Sequence, residues 1–241
     1  MKLVILSAGI GKRLRPLTDK KPKCLIDVLG KPILEHQLEL FLDNDKIEQI
    51  IIIIGYKADL IKKYIKSITN SNPKVKVLVN PIYDKTNNMY SLHLAEEYLK
   101  NSFLLLNGDV ILQKEIVDGL IDFSFKNAIA VDVGNYNEES MKVTQNAGYL
   151  TDISKAIDKK DALGCSIDFY KFSEEGKSQL FNKINEFINE KKEKNLWTEV
   201  AIQELLRKNE LKMKAYDIKN MNWIEIDNLK DLQSARKIFS S

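Results

Sequence analysis

Residues Leu3 to Leu25 read "LVILSAGIGKRLRPLTDKKPKCL", an apolar run that breaks at Gly9 and Gly11 and ends among basic side chains. Leucine and β-branched residues without polar alternation make its first part a strand buried on both faces, the pattern of a parallel sheet. Small residues at Ala8, Gly9 and Gly11 let the backbone approach a ligand closely and present N–H donors. Arg13 can grip phosphate oxygens through two parallel hydrogen bonds, and Lys23 adds a point charge. The strand hands over to a loop suited to a small polyanion. Two familiar phosphate loops do not fit it. A Walker A loop needs about four residues between its Gly and Gly-Lys, whereas Gly9 and Gly11 flank Ile10 alone. A dinucleotide fingerprint needs a third small residue where Leu14 stands.

Outward from this loop, strand and helix patterns alternate. "KPILEHQLELFLDND" carries apolar residues at Ile33, Leu34, Leu38, Phe41 and Leu42, a helical period. "IEQIIIIIGY" is a second buried strand, "ADLIKKYIKSI" an amphipathic helix and "VKVLVNP" a third strand. "MYSLHLAEEYLK" is expected as a helix and "SFLLLNGDVIL" as a fourth strand carrying Asp109 at its end. Such alternation implies parallel βαβ units with right-handed crossovers. The later segments "NAIAVDVG", "MKVTQ", "GYLTDIS" and "GCSIDFYKFS" are strands with short connections, so a more antiparallel part follows. "EEGKSQLFNKINEFINEKKEKN" and "WTEVAIQELLRKN" are helical, "LKMKAYDIK" and "NWIEID" are short strands, and "NLKDLQSARKIFSS" is a closing helix capped by Asn228. The expectation is an α/β fold with a mixed, mainly parallel central sheet flanked by helices. It forms a single domain over 1–241, with a nucleotide-binding half over 1–112 and an acceptor-binding half over 113–241. Ligands in such sheets bind beyond the carboxyl ends of the strands, where the glycine loop and "NGD" both fall.

Bulk properties agree. At 241 residues, 44% hydrophobic and 29% charged, the chain can bury a core without disulfides. Cys24 and Cys165 lack metal-ligand spacing, and His36 and His93 are too few for a histidine cage. A net charge of +3, with lysines widely spread, lacks the concentrated basic face of a nucleic-acid binder. The run "IIIII" at 50–54 is strand length and cannot span a bilayer. A soluble, cytoplasmic protein is expected, either monomer or homodimer.

The string from Leu6 to Lys23, continuing through "GKPILEHQLE", resembles the signature of the sugar-1-phosphate nucleotidyltransferase superfamily, which opens a GT-A-like fold. The family's run is L-x-A-G-x-G-T/S-R-L-x-P-L-T followed by P-K, and this chain departs from it at Lys12, where Thr or Ser is usual. By this resemblance Leu6, Ala8, Gly9 and Gly11 frame a nucleotide, and Arg13 and Lys23 hold its phosphates and serve catalysis.

Nucleotidyl transfer brings an anionic acceptor against a triphosphate, and Mg²⁺ on one or two carboxylates is the usual way to neutralise that charge. Asp109 lies in "FLLLNGDVIL", while Glu225 and Asp227 share one strand face in "NWIEIDNLKDL". In the family, an Asp of a "GD" element and an Asp of a late "W-x-D/E-I-D" element bind the ion. The resemblance therefore implies Asp109 and Asp227 as Mg²⁺ ligands, Asp109 also as a nucleotide contact, and Glu225 as an accessory ligand.

"YDKTNNMYSLHLAEEYL" separates the branches. Sugar nucleotidyltransferases have a glycine-rich P-x-G-T-A-x-A segment there. This chain instead resembles the cytidylyltransferases acting on phosphocholine, 2-aminoethylphosphonate and inositol-1-phosphate, with their N-x-x-Y-S-L. The resemblance implies CTP as the nucleotide and Asn87, Asn88 and Ser91 as contacts, and Asn87 and Asn88 also suit a helix start. "MKVTQNAGYLTDISKAI" resembles the same branch and places Lys142 and Lys155 on neighbouring strands for the acceptor phosphate or phosphonate. A phosphocholine-like head group would need aromatic faces and a carboxylate. Tyr83, Tyr90, Tyr136, Tyr170 and Trp197, with Asp132 and Asp168, are the candidates. The acceptor stays open between phosphocholine, an aminoalkylphosphonate and a polyol or sugar phosphate. The product would be a CDP-linked compound plus pyrophosphate, feeding a cell-surface glycan or lipid. The alternatives are a sugar-1-phosphate enzyme using UTP, dTTP or GTP, and a non-catalytic nucleotide-binding subunit.

Overall fold

The computed structural model describes residues 1–240. In chain order the strands are β1 (Lys2–Ser7), β2 (Asp27–Val28), β3 (Lys31–Pro32), β4 (Gln49–Ile54), β5 (Val75–Val79), β6 (Phe103–Asn107), β7 (Val110–Leu112), β8 (Ala128–Val133), β9 (Lys142–Asn146), β10 (Tyr149–Ser154), β11 (Gly164–Phe172), β12 (Lys214–Asp217) and β13 (Trp223–Glu225). The helices are α1 (Leu17–Lys20), α2 (Ile33–Phe41), α3 (Ala58–Thr69), α4 (Asn88–His93), α5 (Lys114–Asp122), α6 (Glu174–Asn185), α7 (Thr198–Arg207) and α8 (Leu229–Ile238). The closing helix expected over "NLKDLQSARKIFSS" spans Leu229–Ile238, and Ser241 lies outside the described residues.

The main sheet runs β10-β9-β11-β6-β1-β4-β5, with β8 against β11 and β12 against β8. Strands β6, β1, β4 and β5 are parallel, and β11 joins β6 antiparallel. The sheet is thus mixed and mainly parallel in its first half, as the alternation of patterns required. Leu3, Val4, Ile5 and the whole run Ile50 to Ile54 are fully buried, because helices or later elements cover both faces. One apolar layer gathers Phe103, Tyr170, Phe172 and Phe181, and the opposite layer gathers Phe41, Leu104, Leu106 and Phe169.

Three expectations change. "SFLLLNGDVIL" is not one strand: β6 stops at Asn107, a turn takes Gly108 and Asp109, and β7 leaves the sheet to pair with β13. The turn needs glycine, since a Cβ at Gly108 would sit 2.1 Å from Ser7 Oγ and 2.6 Å from Leu6 O. "MYSLHLAEEYLK" is helical only to His93 and then tightens into a 3-10 turn over Glu96–Tyr98. The helix from Glu174 widens into a π turn over Glu186–Glu190. Helix α5 and the β2–β3 hairpin add to the elements expected above.

Candidate active site

The ends of β1 and β6 open into a cavity of about 260 Å³. Its wall includes Leu6, Ala8, Gly9, Arg13, Lys23, Asn87, Asn88, Ser91, Asp109, Lys155, Glu225 and Asp227, twelve of the residues named from the sequence. Gly11 and Lys142 stand outside the wall. Gly11 is left-handed at φ 69°, and a Cβ there would lie 2.8 Å from Lys23 Cβ, so its role is to let the lysine stem pass. Lys142 is fully buried, with Nζ donating to the Glu138 carbonyl at 2.9 Å and the Lys155 carbonyl at 2.5 Å. Its charge is spent on the backbone that carries Lys155 and does not reach the cavity.

Paired carbonyls and caps place the acidic groups. Gly108 N donates to Leu6 O at 2.9 Å, and Gln37 Nε2 braces the turn by donating to Asn107 O and Val110 O, both at 2.8 Å. Glu225 pairs with Val110 across β13–β7, and Ile226 N donates to Asp109 O at 2.9 Å. Asp227 follows, just ahead of the capping box of α8: Asn228 Oδ1 accepts from Asp231 N at 3.1 Å, and Asp231 Oδ2 accepts from Asn228 N at 3.0 Å. Asp231 also accepts from Asp227 N at 2.9 Å, so the cap fixes the residue that enters the site.

Charges interlock at this end. Lys23 Nζ donates to Asp109 Oδ2 at 2.7 Å and Asp227 Oδ1 at 2.8 Å, and Arg13 pairs with Asp227 Oδ2 at 2.7 Å. Burial alone would lower the Lys23 pKa, but Asp109 and Asp227 outweigh it and raise it. For Asp227 burial would raise the pKa, and Lys23 and Arg13 reverse this to hold it below the usual carboxylate range. Glu225 lacks such a partner. Burial first, then the carboxylates of Asp168, Asp109 and Asp227, push it up to about 10.

Oxygens of Asp109, Glu225 and Asp227 lie within 4.8 Å of one another, and Asp109 Oδ1 is buried with no hydrogen-bond partner. Hard carboxylate oxygens, one of them orphaned, fit a divalent cation such as Mg²⁺.

The Asn-rich segment is engaged within the chain. Asn87 Oδ1 caps α4 by accepting from Asn88 N at 2.9 Å, and Asn88 Oδ1 accepts from Thr198 N at 2.8 Å at the start of α7. Ser91 Oγ accepts from Asn80 Nδ2 at 3.1 Å.

The wall of the cavity also holds Asp168, Glu199, Tyr83 and Trp197. Strand β11 changes register between Ser166 and Tyr170, and within that irregularity Asp168 takes φ 57°. Tyr170 OH lies 2.9 Å from both Asp168 Oδ1 and Glu199 Oε1, and Asn107 Nδ2 donates to Asp168 Oδ2 at 3.0 Å. Burial, then Glu199 and Asp109, push Asp168 up to about 7; burial also raises Glu199. Of the suggested aromatic faces only Tyr83 and Trp197 reach the wall, since Tyr170 is fully buried and Tyr136 packs near Lys142. Asp132 is occupied by Trp223 Nε1 and Asn135. Glu199 carries no motif, and Asn107 enters only as the first residue of "NGD". The only clue to Glu199 was a charge one residue inside an otherwise ordinary amphipathic helix.

The nucleotidyl transferase family model matches residues 2–142, more than half of the chain. The chain belongs to the nucleotidyl transferase family. It is 27% identical over 255 aligned residues to the CTP:phosphoglutamine cytidylyltransferase of Campylobacter jejuni, covering 97% of this chain and 98% of that protein. It is 30% identical to the bifunctional protein GlmU of Methanocaldococcus jannaschii over 83% of this chain, but spans only about half (51%) of that longer relative. The solved CTP:phosphocholine cytidylyltransferase of Streptococcus pneumoniae superposes with a TM-score of 0.79 over 98% of both chains at 24% identity, which shows a shared fold. A nucleotidyltransferase with cytidylyltransferase relatives is an enzyme of that type.

Proposed function

We propose that this nucleotidyltransferase moves CMP from CTP, with Mg²⁺, to a small phosphate or phosphonate acceptor, releasing pyrophosphate. The observation that carries it is the meeting of Arg13, Lys23, Asp109, Glu225 and Asp227 in one cavity whose wall also holds Asn87, Asn88 and Ser91. The choice of CTP is supported by the resemblance of "TNNMYSL" and by the Campylobacter relative, matched over nearly its whole length.

In this reading the loop at Ala8 and Gly9 lies along the nucleotide, and residues 1–112 supply most of its contacts. Arg13 and Lys23 turn from their carboxylate partners to phosphate oxygens. Lys155, on the acceptor half over 113–241, faces the incoming phosphate. Mg²⁺ held by Asp109 and Asp227, with Glu225 beside them, would supply charge neutralisation at the triphosphate. A phosphate or phosphonate dianion is already a nucleophile, so an acceptor oxygen attacks the α-phosphorus in line without a general base. Positioning and electrostatics carry the rate.

A second reading, UTP with a sugar-1-phosphate, is favoured by the identity to the bifunctional relative. Pyrophosphate release with CTP, UTP, dTTP and GTP, each crossed with phosphocholine, 2-aminoethylphosphonate and sugar-1-phosphates, decides between them. Turnover confined to CTP supports the proposal, and turnover with UTP and a sugar phosphate replaces it. Among the described residues no helix is long and apolar enough to cross a membrane.

A further inference from the structure

A second cavity, of about 310 Å³, lies beside α3, and none of its wall residues belongs to the catalytic cavity. We propose that it binds a small anionic amphiphile, a molecule with an apolar body and one anionic group. On α3, Leu60, Lys63, Tyr64 and Ser67 stand at i, i+3, i+4 and i+7 and form one stripe along the helix. The core takes a different stripe of the same helix, through Ile61 and Ile65, both buried. Leu60 is left 46% exposed. Leu25, from the 3-10 turn at Lys23–Leu25, and Pro32, from β3, complete the apolar part of the wall. Four apolar side chains from three elements around one cavity are more than the scattered exposed leucine of an ordinary surface.

The polar groups of the wall sort the ligand by charge. Ser67 Oγ already donates to Tyr64 O at 2.7 Å, and the Tyr64 hydroxyl donates to Glu35, which lies outside the wall. Lys21 and Lys63 remain. Among the described residues neither has a carboxylate partner, whereas Lys62 on the same helix pairs with Asp59 at 3.9 Å and Lys31 in the hairpin pairs with Glu39 at 2.6 Å. Two unpaired ammonium groups beside apolar side chains complement one anionic group on a non-polar body. A neutral amphiphile would leave the charge unmatched, and an amine would be repelled. The volume sits at the lower edge of the roughly 300–1,000 Å³ usual for small-molecule pockets, which suits such a ligand better than a helix of a partner protein.

The segment from Lys21 to Leu25 separates the two cavities: Lys21 and Leu25 belong to this wall, Lys23 and Cys24 to the catalytic one. Octanoate is the probe, because a phosphate ester would also suit the catalytic cavity. The test titrates octanoate, octan-1-ol and octylamine into the full chain by calorimetry, below their aggregation concentrations and without nucleotide. Octanoate should saturate a single site and bind on the order of 10-fold or more tighter than the alcohol or the amine.

In Lys21→Gln/Lys63→Gln octanoate should weaken on the order of 10-fold and draw level with octan-1-ol, whose own affinity is kept. Leu60→Glu, which sets a carboxylate in the wall, should weaken octanoate at least as much. Lys21, Leu60 and Lys63 are all exposed, so the Tm of the ligand-free chain should stay where it is. Octan-1-ol or octylamine binding as tightly as octanoate overturns the proposal. An octanoate affinity that the variants leave unchanged places the probe elsewhere and overturns it too, as does the absence of saturable binding to the unsubstituted chain. None of these outcomes touches the transfer reading, since neither nucleotide nor acceptor is present.

Discussion

Two groups of carboxylates in the cavity wall handle charge in opposite ways. In the Arg13–Lys23 group each carboxylate that faces a cation is matched to it: Lys23 bridges Asp109 and Asp227, and Arg13 takes the remaining Asp227 oxygen. In the Asp168–Glu199 pair two carboxylates share the Tyr170 hydroxyl, and among the described residues neither has a Lys or Arg partner. The first group is matched charge for charge. The second is held uncompensated by the packing around β11 and α7. Ion pairs secure the first group, and packing alone holds the second.

The largest effect should come from Asp109→Asn. It leaves the turn at Gly108 intact but halves the charge offered to a cation, and turnover should fall by on the order of 10³-fold or more with an unchanged circular dichroism spectrum. Retained activity would dissolve the contrast by removing chemistry from that group. Next, Lys23→Ala should lower kcat on the order of 10²-fold, because the lysine is assigned to charge that develops in the transition state. A change in acceptor KM alone would transfer Lys23 to binding.

The Asp168–Glu199 pair is probed through pH. Asp168 rises from 3.8 to about 7 on folding, so the folded state favours the protonated acid. Its contribution is fully present below about pH 4 and is lost as pH rises through about 7. Asp168→Asn removes this dependence, and the fall in Tm of the ligand-free protein between those values should flatten; an unchanged slope would mean the carboxylate is not the buried acid described here. The smallest effect belongs to the support of Asp227. Asn228→Ala removes the α8 cap and should cost about 1 kcal/mol in denaturant unfolding, with a further loss of activity as Asp227 loosens. Stability lost with full activity would show that the cap does not position the carboxylate.

The same contrast explains what was legible in the sequence. The Arg13–Lys23 group is written in contiguous runs, "LSAGIGKRL", "NGD" and "WIEID", where glycines and charges stand at fixed offsets, and the strand pattern places each run at a sheet end. The other group is assembled from single residues on elements that look ordinary alone. Asp168 enters through a register shift in β11 that alternation does not reveal, and Glu199 lies on the buried side of α7, where a charge reads as surface. Lys142 shows the reverse failure, a motif lysine that packing turns into a brace for backbone carbonyls. The break of "FLLLNGDVIL" followed from how closely Gly108 approaches β1, a tertiary fact carried by one missing Cβ.

The Lys23–Asp227 bond has a consequence for biosynthesis. Its partners stand 204 positions apart, and Asp227 is held in place by β13 and α8. A ribosome exposes the glycine loop first and the second carboxylate only after the intervening span of 204 positions. Until then Lys23 lacks one of its two anions, and the loop must wait while the intervening chain condenses. Closing so long a span costs entropy that only the finished sheet repays. Competence for transfer should therefore arrive only once Asp227 and its cap have emerged, and chains released before Asp227 should be inert however well their sheet has formed.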